Sequence, residues 1–310
     1  MTVHEGDAPV PSAGAVLRLR DRELGPDRPV VMAIVNRTTD SFYAAARYGE
    51  DEAFDAAVRA AEEGADIVDL GGVRAGRGAE VDAAEEARRV VPLVERLRSE
   101  VPELLISVDT WRSEVARHAV RAGADLLNDT WAGHDPALVE VAAEAGVGVV
   151  CSHTGGALPR TDPLRVAYPA RPGASDPRDG VLDDVLATLT AAAARAVGLG
   201  IDPASVLVDP THDFGKNTWH SLHLVRRTAA LTALGHPVLM ALSRKDFIGE
   251  TLGLPADERL EGTLAATAVA AWLGARVFRT HDIRATRRTV DMVAAIRGDV
   301  APRTAVRGLV

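Results

Sequence analysis

Eight short runs rich in Val, Ile and Leu alternate with eight amphipathic, Ala-rich stretches. Glycine stands at most of the points where a helix hands over to the next strand. No G-x-G-x-x-G follows the first run. These three observations predict an α/β protein folded as a single (β/α)8 barrel, a TIM barrel, rather than a doubly wound open sheet.

The first strand, Val30–Val35, is continuously apolar, as a parallel strand buried on both faces should be. A helix with apolar residues at helical spacing follows at Glu52–Glu63 and ends at Gly64-Ala65. The second unit is strand Asp66–Leu70 with helix Ala83–Arg98. The third is Leu104–Val108 with Ser113–Ala122, closed by Gly123-Ala124. The fourth is Asp125–Asn128 with Pro136–Ala145, closed by Gly146-Val147. The fifth pairs Val147–Cys151 with Val181–Val197, after the longest Pro- and Gly-rich loop, Leu158–Gly180. Gly200-Ile201 leads into the sixth, Ser205–Val208 with Trp219–Leu234. The seventh is Pro237–Leu242 with Leu260–Leu273, closed by Gly274-Ala275. The eighth is Arg276–Arg279 with Ala285–Ile296. The expected organisation is a flexible N-terminal tail over 1–25, one barrel over 26–300 and a C-terminal tail over 301–310.

Composition fits this plan. The chain has 310 residues, 47% hydrophobic and 25% charged, with a single cysteine, Cys151, and a net charge of −9. Such a chain buries a large core without disulfides, and one cysteine offers no intrachain framework. The acidic balance argues against a general nucleic-acid coat. Met1–Arg20 has no apolar run of signal-peptide length, and no stretch is long and apolar enough for a membrane span, so the expected location is cytoplasmic.

In such barrels chemistry collects at the C-terminal ends of the strands. Here those ends carry Asn36, Gly71-Gly72, Asp109, Asn128-Asp129, Cys151-Ser152-His153, Asp209-Pro210, Ser243-Arg244-Lys245 and Arg279-Thr280-His281-Asp282. An isolated Asp or Asn after a strand is often only a helix cap. Eight strand ends converging on one mouth, seven of them polar, ask for more. Asp109, Asn128 and Asp209 are suited to reading a heterocycle that carries N–H and C=O groups. Arg244, Lys245, Arg279 and His281 put positive groups on strands seven and eight, where barrels frequently bind phosphate. The residues thus point to a heterocycle in an acidic half and a phosphorylated leaving group in a basic half. His153 and His212 with Asp209 or Asp213 form only a weak metal pattern. Cys151 reads as a small core filler. Trp111, Trp131 and Trp219 suit either ligand stacking or helix packing. Arg287-Arg288 reads as a solvated helix face.

A family resemblance emerges at these same residues. Asn36-Arg37-Thr38-Thr39-Asp40-Ser41-Phe42 resembles the N-V-T-P-D-S-F segment of dihydropteroate synthases. Asp69-Leu70-Gly71-Gly72 resembles their D-I-G-G, Ile106-Ser107-Val108-Asp109-Thr110 their I-S-I-D-T, and Leu127-Asn128-Asp129 their I-N-D. Asp209-Pro210 with Phe214-Gly215-Lys216 resembles D-P-G-F-G-F-G-K. Ser243-Arg244-Lys245 with Ile248-Gly249 resembles S-R-K-S-x-I-G, and Arg279-Thr280-His281-Asp282 resembles R-V-H-D. The resemblance runs from about Pro29 to Gly298 and is to a divergent second homologue of the kind actinobacteria carry beside the regular enzyme.

The resemblance implies condensation of 6-hydroxymethyl-7,8-dihydropterin diphosphate with 4-aminobenzoate, releasing pyrophosphate with the help of Mg²⁺, in folate biosynthesis. By the same resemblance Asp109, Asn128, Asp209 and Lys245 line the pterin pocket, with Ser243 and Arg244 beside them. Asn36 helps to hold Mg²⁺ and pyrophosphate, Arg279 and His281 cradle the pyrophosphate, and Phe214 and Lys216 sit on the aminobenzoate side. A homodimer joined through the late helices is also implied.

The departures cluster on the second-substrate side. Val73-Arg74-Ala75-Gly76-Arg77-Gly78 replaces E-S-T-R-P-G, Thr39 replaces a proline, and Tyr43-Ala44-Ala45-Ala46 replaces S-D-G-G. Thr211-His212-Asp213 replaces Gly-Phe-Gly, adding a negative charge where an aminobenzoate carboxylate would approach. Three readings follow: a synthase with altered second-substrate loops, a paralogue that binds pterin without that reaction or with another second substrate, and a methyl-tetrahydrofolate corrinoid methyltransferase domain. The third has no need of Ser243-Arg244-Lys245 and Arg279-x-His281, which suit a diphosphate.

Overall fold

A computed structural model describes residues 15–37, 50–161 and 167–307. It opens with a hairpin, β1 (Leu17–Leu19) and β2 (Arg22–Leu24), paired antiparallel. The barrel follows as β3 (Val30–Asn36), α1 (Glu50–Glu62), β4 (Ile67–Gly71), α2 (Ala83–Glu100), β5 (Leu105–Asp109), α3 (Ser113–Ala122), β6 (Leu126–Asp129), α4 (Leu138–Ala145) and β7 (Gly148–Ser152). It continues through α5 (Asp179–Gly198), β8 (Val206–Asp209), α6 (Thr218–Arg226), α7 (Thr228–Thr232), β9 (Leu239–Met240), α8 (Asp246–Leu252), α9 (Leu260–Trp272), β10 (Val277–Thr280) and α10 (Ile283–Arg297).

The eight barrel strands pair in parallel in the order β8-β7-β6-β5-β4-β3-β10-β9. A parallel bridge between Val208 and Val238 brings the two edges together. Alternate residues point inward because side chains change face at every step along a strand. The floor of the barrel is therefore an apolar layer of Val30, Met32, Ile67, Leu105, Leu126, Val150, Leu207, Leu239 and Val277. The same alternation carries Asn36, Asp109, Asn128, Asp209 and Arg279 into the open mouth. Outside the barrel, the helices bury their apolar stripes on the strands' outer faces.

Several expectations hold and others are corrected. The α3 bounds agree with the sequence reading, and Gly123 and Gly146 take the left-handed conformation that closes α3 and α4. The N-terminal tail expected over 1–25 is wrong for Leu17–Leu24. Leu17 and Leu19 are fully buried against the barrel floor, and Ser205 Oγ donates to Arg18 O at 2.6 Å. An exposed-looking segment thus supplies the plug that an open barrel end needs.

The seventh strand shrinks from Pro237–Leu242 to two residues, since β9 pairs with β10 only at Leu239 and Met240. The helix expected over Trp219–Leu234 breaks at Arg227. There the Thr228 hydroxyl donates to Val225 O at 2.8 Å, a local bond that competes with the helix ladder. The short helix α8 was not expected. Arg287 is not a solvated residue: it is buried and paired with Asp66 at 3.1 Å and Asp291 at 2.7 Å. Residues 301–307 are exposed and outside any helix or strand, and the first-loop positions Thr38–Ala46 lie outside the described residues.

Candidate active site

The mouth of the barrel holds a cavity of about 320 Å³. Ten of the eleven residues singled out from the sequence line it: Asn36, Asp109, Asn128, Asp209, Phe214, Ser243, Arg244, Lys245, Arg279 and His281. Lys216 is the exception. Its side chain is buried, and its amine donates to the carbonyls of His153, Thr211 and Phe214 at 2.8, 3.1 and 2.9 Å. Burial lowers its pKa to about 7. In this arrangement Lys216 ties the loop after β8 together and is not part of the cavity lining.

The inner wall is built around Asp69, which sequence reasoning placed in a motif but not in the site. Asp69 is fully buried. Its carboxylate accepts from Ser107 Oγ at 2.6 Å, Asn128 Nδ2 at 3.1 Å and Arg279 Nε at 2.6 Å. Arg279 also donates from Nη2 to Asp109 at 2.8 Å, and Thr130 donates to Asp109 at 2.9 Å. Arg279 is therefore a fork clamped between two carboxylates. Burial pushes the Asp109 carboxyl up to about 7, with Arg279 pulling the other way and Asp69 adding to the rise. The signal for Asp69 was available in its inward register, two residues before Gly71. Gly71 leaves room for the Asn36 carboxamide: a Cβ there would lie 2.5 Å from Asn36 Oδ1, so a larger residue would displace that side chain.

The opposite wall comes from the loops after β8 and β9. Asp209 accepts the Thr211 backbone N–H at 2.7 Å, and burial raises its pKa. Lys245 Nζ donates to His212 O at 2.8 Å and stands 4.4 Å from the centre of the Phe214 ring, a cation–π geometry. Burial lowers the Lys245 pKa. Arg244 grips Asp282 through two bonds, at 3.0 and 2.8 Å, and reaches the carbonyls of Ala256 and Asp257. Ser243 Oγ and His281 Nδ1 are 3.0 Å apart, and burial, then the charge of Arg279, brings the His281 pKa down to about 4. His281 is thus a neutral hydrogen-bonding group at neutral pH.

Residues left open by the sequence now have places. Arg74 lines the cavity with Val73, Ala75 and Gly76, whereas Arg77 is exposed. Trp131 packs edge-on against Trp111 and Phe214, so it buttresses the cavity wall, and Trp219 is exposed. Burial pushes the Cys151 thiol up to about 12, in keeping with a core filler. His153 pairs with Asp184 at 2.7 Å, while His212 is fully buried beside the Phe247 ring. Among the described residues, no group of three or more His, Cys, Asp and Glu is placed to hold a metal.

This geometry can hold a planar polar ring against Asp109, Asn128 and Asp209, and can meet an anionic substituent with Arg279, His281 and Ser243. Comparison with known proteins identifies the family. Residues 32–281 match the family model "Pterin binding enzyme". The chain is 58% identical over 289 residues to the "Inactive dihydropteroate synthase 2" of Mycobacterium leprae, covering 93% of this chain and 97% of that protein. It is 36% identical over 273 residues to the dihydropteroate synthase of Bacillus subtilis, covering 87% and 89%. The solved structure of Xanthomonas albilineans dihydropteroate synthase with 4-aminobenzoic acid is 36% identical, with a TM-score of 0.79 over 92% of this chain and 98% of that one.

Proposed function

The chain belongs to the pterin binding enzyme family, as a relative of the dihydropteroate synthases, and from that premise we propose that its cavity binds 6-hydroxymethyl-7,8-dihydropterin diphosphate and presents the CH₂ carbon to an amine. The observation that carries the reading is the inner wall, where Asp69 holds Asn128 and Arg279 together beside Asp109 and opposite Asp209. In the reaction a C–N bond forms at the CH₂ carbon as the C–O bond to the diphosphate breaks. Pyrophosphate leaves with the electron pair, and the amine proton passes to solvent.

Each group has one task in this reading. The Asp209 carboxylate takes two N–H donors of the pterin's guanidine-like edge, and Asn128 and Asp109 read the rest of the ring. Lys245 faces the ring from the opposite loop. Arg279, His281 and Ser243 steady the departing pyrophosphate, whose growing charge is the principal charge to be met. Phe214 stands on the amine side, and Arg244 shapes the loop that carries Lys245. Asn36 offers one carboxamide oxygen near the diphosphate. Such a donor set fits a Mg²⁺ ion brought in by substrate oxygens, and does not by itself make an all-protein cage. The ion would supply charge neutralisation to the diphosphate.

A second reading, pterin binding without dihydropteroate formation, is favoured by the inactivity in the name of the Mycobacterium leprae relative and by the altered Thr211-His212-Asp213 loop. One experiment separates the two. The purified chain is titrated with the pterin diphosphate, then incubated with it, 4-aminobenzoate and Mg²⁺, and dihydropteroate is measured by mass spectrometry beside a regular synthase. Pterin binding is expected, with product far below the control. Product at a useful fraction of the control would overturn the second reading, and absence of pterin binding would overturn both.

We also place this chain in the cytoplasm as a homodimer. Among the described residues no helix is long and apolar enough to cross a membrane. Val269 and Trp272 on α9 and Met292 and Ile296 on α10 are exposed large apolar side chains suited to a self-contact. Sedimentation at micromolar concentration, with Met292→Lys expected to give monomers, tests the contact.

A further inference from the structure

Thr211 and Asp213 both hold left-handed backbone, with φ of 50° and 70°. Glycine takes this conformation freely, whereas a β-branched threonine there is an outlier. Such strain persists where surrounding contacts over-determine it. Thr211 is held by Asp209, His153 and Lys216, and the contacts at Asp213 run through its own side chain and N–H. Its Oδ2 accepts the backbone N–H of Asp246 at 2.7 Å, its Oδ1 accepts from Ser221 Oγ at 3.3 Å, and its own N–H donates back to Ser221 Oγ at 3.2 Å. The carboxylate is pinned in the wall of the cavity, beside Phe214 and Lys245.

Several of the cations around the cavity are already engaged by carboxylates. Arg259 is paired with Asp246 at 2.8 Å, Arg244 with Asp282, and Arg279 with Asp69 and Asp109. Lys245 lies within electrostatic reach of Asp213 and Asp209 together. An acidic group entering beside Phe214 meets a fixed like charge in a half-buried site, where repulsion is poorly screened. An uncharged group of the same shape meets a hydrogen-bond acceptor and an aromatic face.

Resting on the pterin reading above, we infer that Asp213 is a specificity-determining residue, an internal carboxylate in place of an acidic group on the second substrate, so that the site takes an uncharged or cationic amine in preference to an anionic one. The geometry selects by charge and not by bulk, because the carboxylate is fixed in the cavity wall by Asp246 and Ser221.

The test uses the full chain and two probes of nearly the same shape, anionic 4-aminobenzoate and neutral 4-aminobenzamide. Wild type, Asp213→Asn and Asp213→Gly are first titrated with the pterin diphosphate, and all three should bind it alike. Each is then saturated with 6-hydroxymethylpterin and pyrophosphate and titrated with either amine by calorimetry. Wild type should bind the amide about ten-fold or more tightly than the acid. Both variants should lose that preference. Asparagine tolerates the left-handed conformation and keeps the side-chain volume, so it separates charge from space. Equal binding of the two amines by wild type, a preference unchanged in both variants, or binding of neither amine by any form that holds pterin overturns the inference while leaving the pterin reading intact. Failure of wild type to bind pterin overturns both.

Discussion

Asp69 has no accessible surface, yet it joins β4, β5, β6 and β10 through one carboxylate. It acts on a ligand only through Asn128 and Arg279, which makes it a positioning residue. Asp69→Asn keeps the volume and removes the charge that Arg279 faces. The expected cost is about 3–5 kcal/mol in urea unfolding, the usual penalty for breaking a buried pair from one side. An unchanged unfolding midpoint would remove Asp69 from this role. Asp209→Asn is expected to weaken pterin at least about a hundred-fold, because an amide cannot accept both N–H donors of a guanidine-like edge. Arg279→Ala should weaken the diphosphate ester far more than free hydroxymethylpterin, and equal losses in parallel titrations would count against an anion-binding role. Asp109, Asn128, Asp209 and Arg279 were legible in the sequence because each follows an apolar run. Lys216 was not: its position in the motif said nothing about three carbonyls capturing its amine.

At the scale of elements, the strands and most helices follow from periodicity, and the departures have local causes. β1 and β2 are three residues each, too short for a hydrophobic period to register. Their worth lies in Leu17 and Leu19, which close the barrel floor against Met32, Leu105 and Leu126. A Cβ on Gly148 would lie 2.6 Å from Leu19 Cδ2, a sign of how closely the plug fits β7. Leu19→Ala should therefore cost about 2–5 kcal/mol, as large-to-small core substitutions do. A thermal melt within a degree of wild type would return the hairpin to the status of a loose tail. The break at Arg227 and the shortened β9 were hidden for a different reason. Both depend on which hydrogen-bond partners are within reach, and a one-dimensional pattern carries no such information.

Over the whole molecule, buried titratable groups pull stability in opposite directions as pH falls. Burial, then the charge of Lys216, pushes the His153 pKa down to about 4. In the unfolded chain that imidazole protonates near pH 6.5. Its contribution is thus complete above about pH 6.5 and is lost as pH falls toward 4, at about 1.4 kcal/mol per pH unit. Asp109, raised to about 7, has the opposite sign. Its contribution is complete below about pH 3.8 and is lost as pH rises through 7. His153→Asn should accordingly gain stability relative to wild type as pH drops from 6.5 to 4. Urea midpoints across that range test it, and a constant offset between the two proteins would refute the assignment.

The sequence by itself determined the alternation of strand and helix, the parallel barrel and the polar residue at almost every strand end, because these depend on local periodicity and on the order of elements along the chain. It also carried the family's motifs and the loops where they fail. Only the tertiary structure decided that the N-terminal hairpin is a plug, that Asp69 governs Arg279, that Lys216 is not part of the cavity lining, and that Asp213 is pinned in the cavity wall. Those outcomes depend on which groups far apart in the chain come within 3 Å or so of one another, and on the burial that makes each such meeting strong.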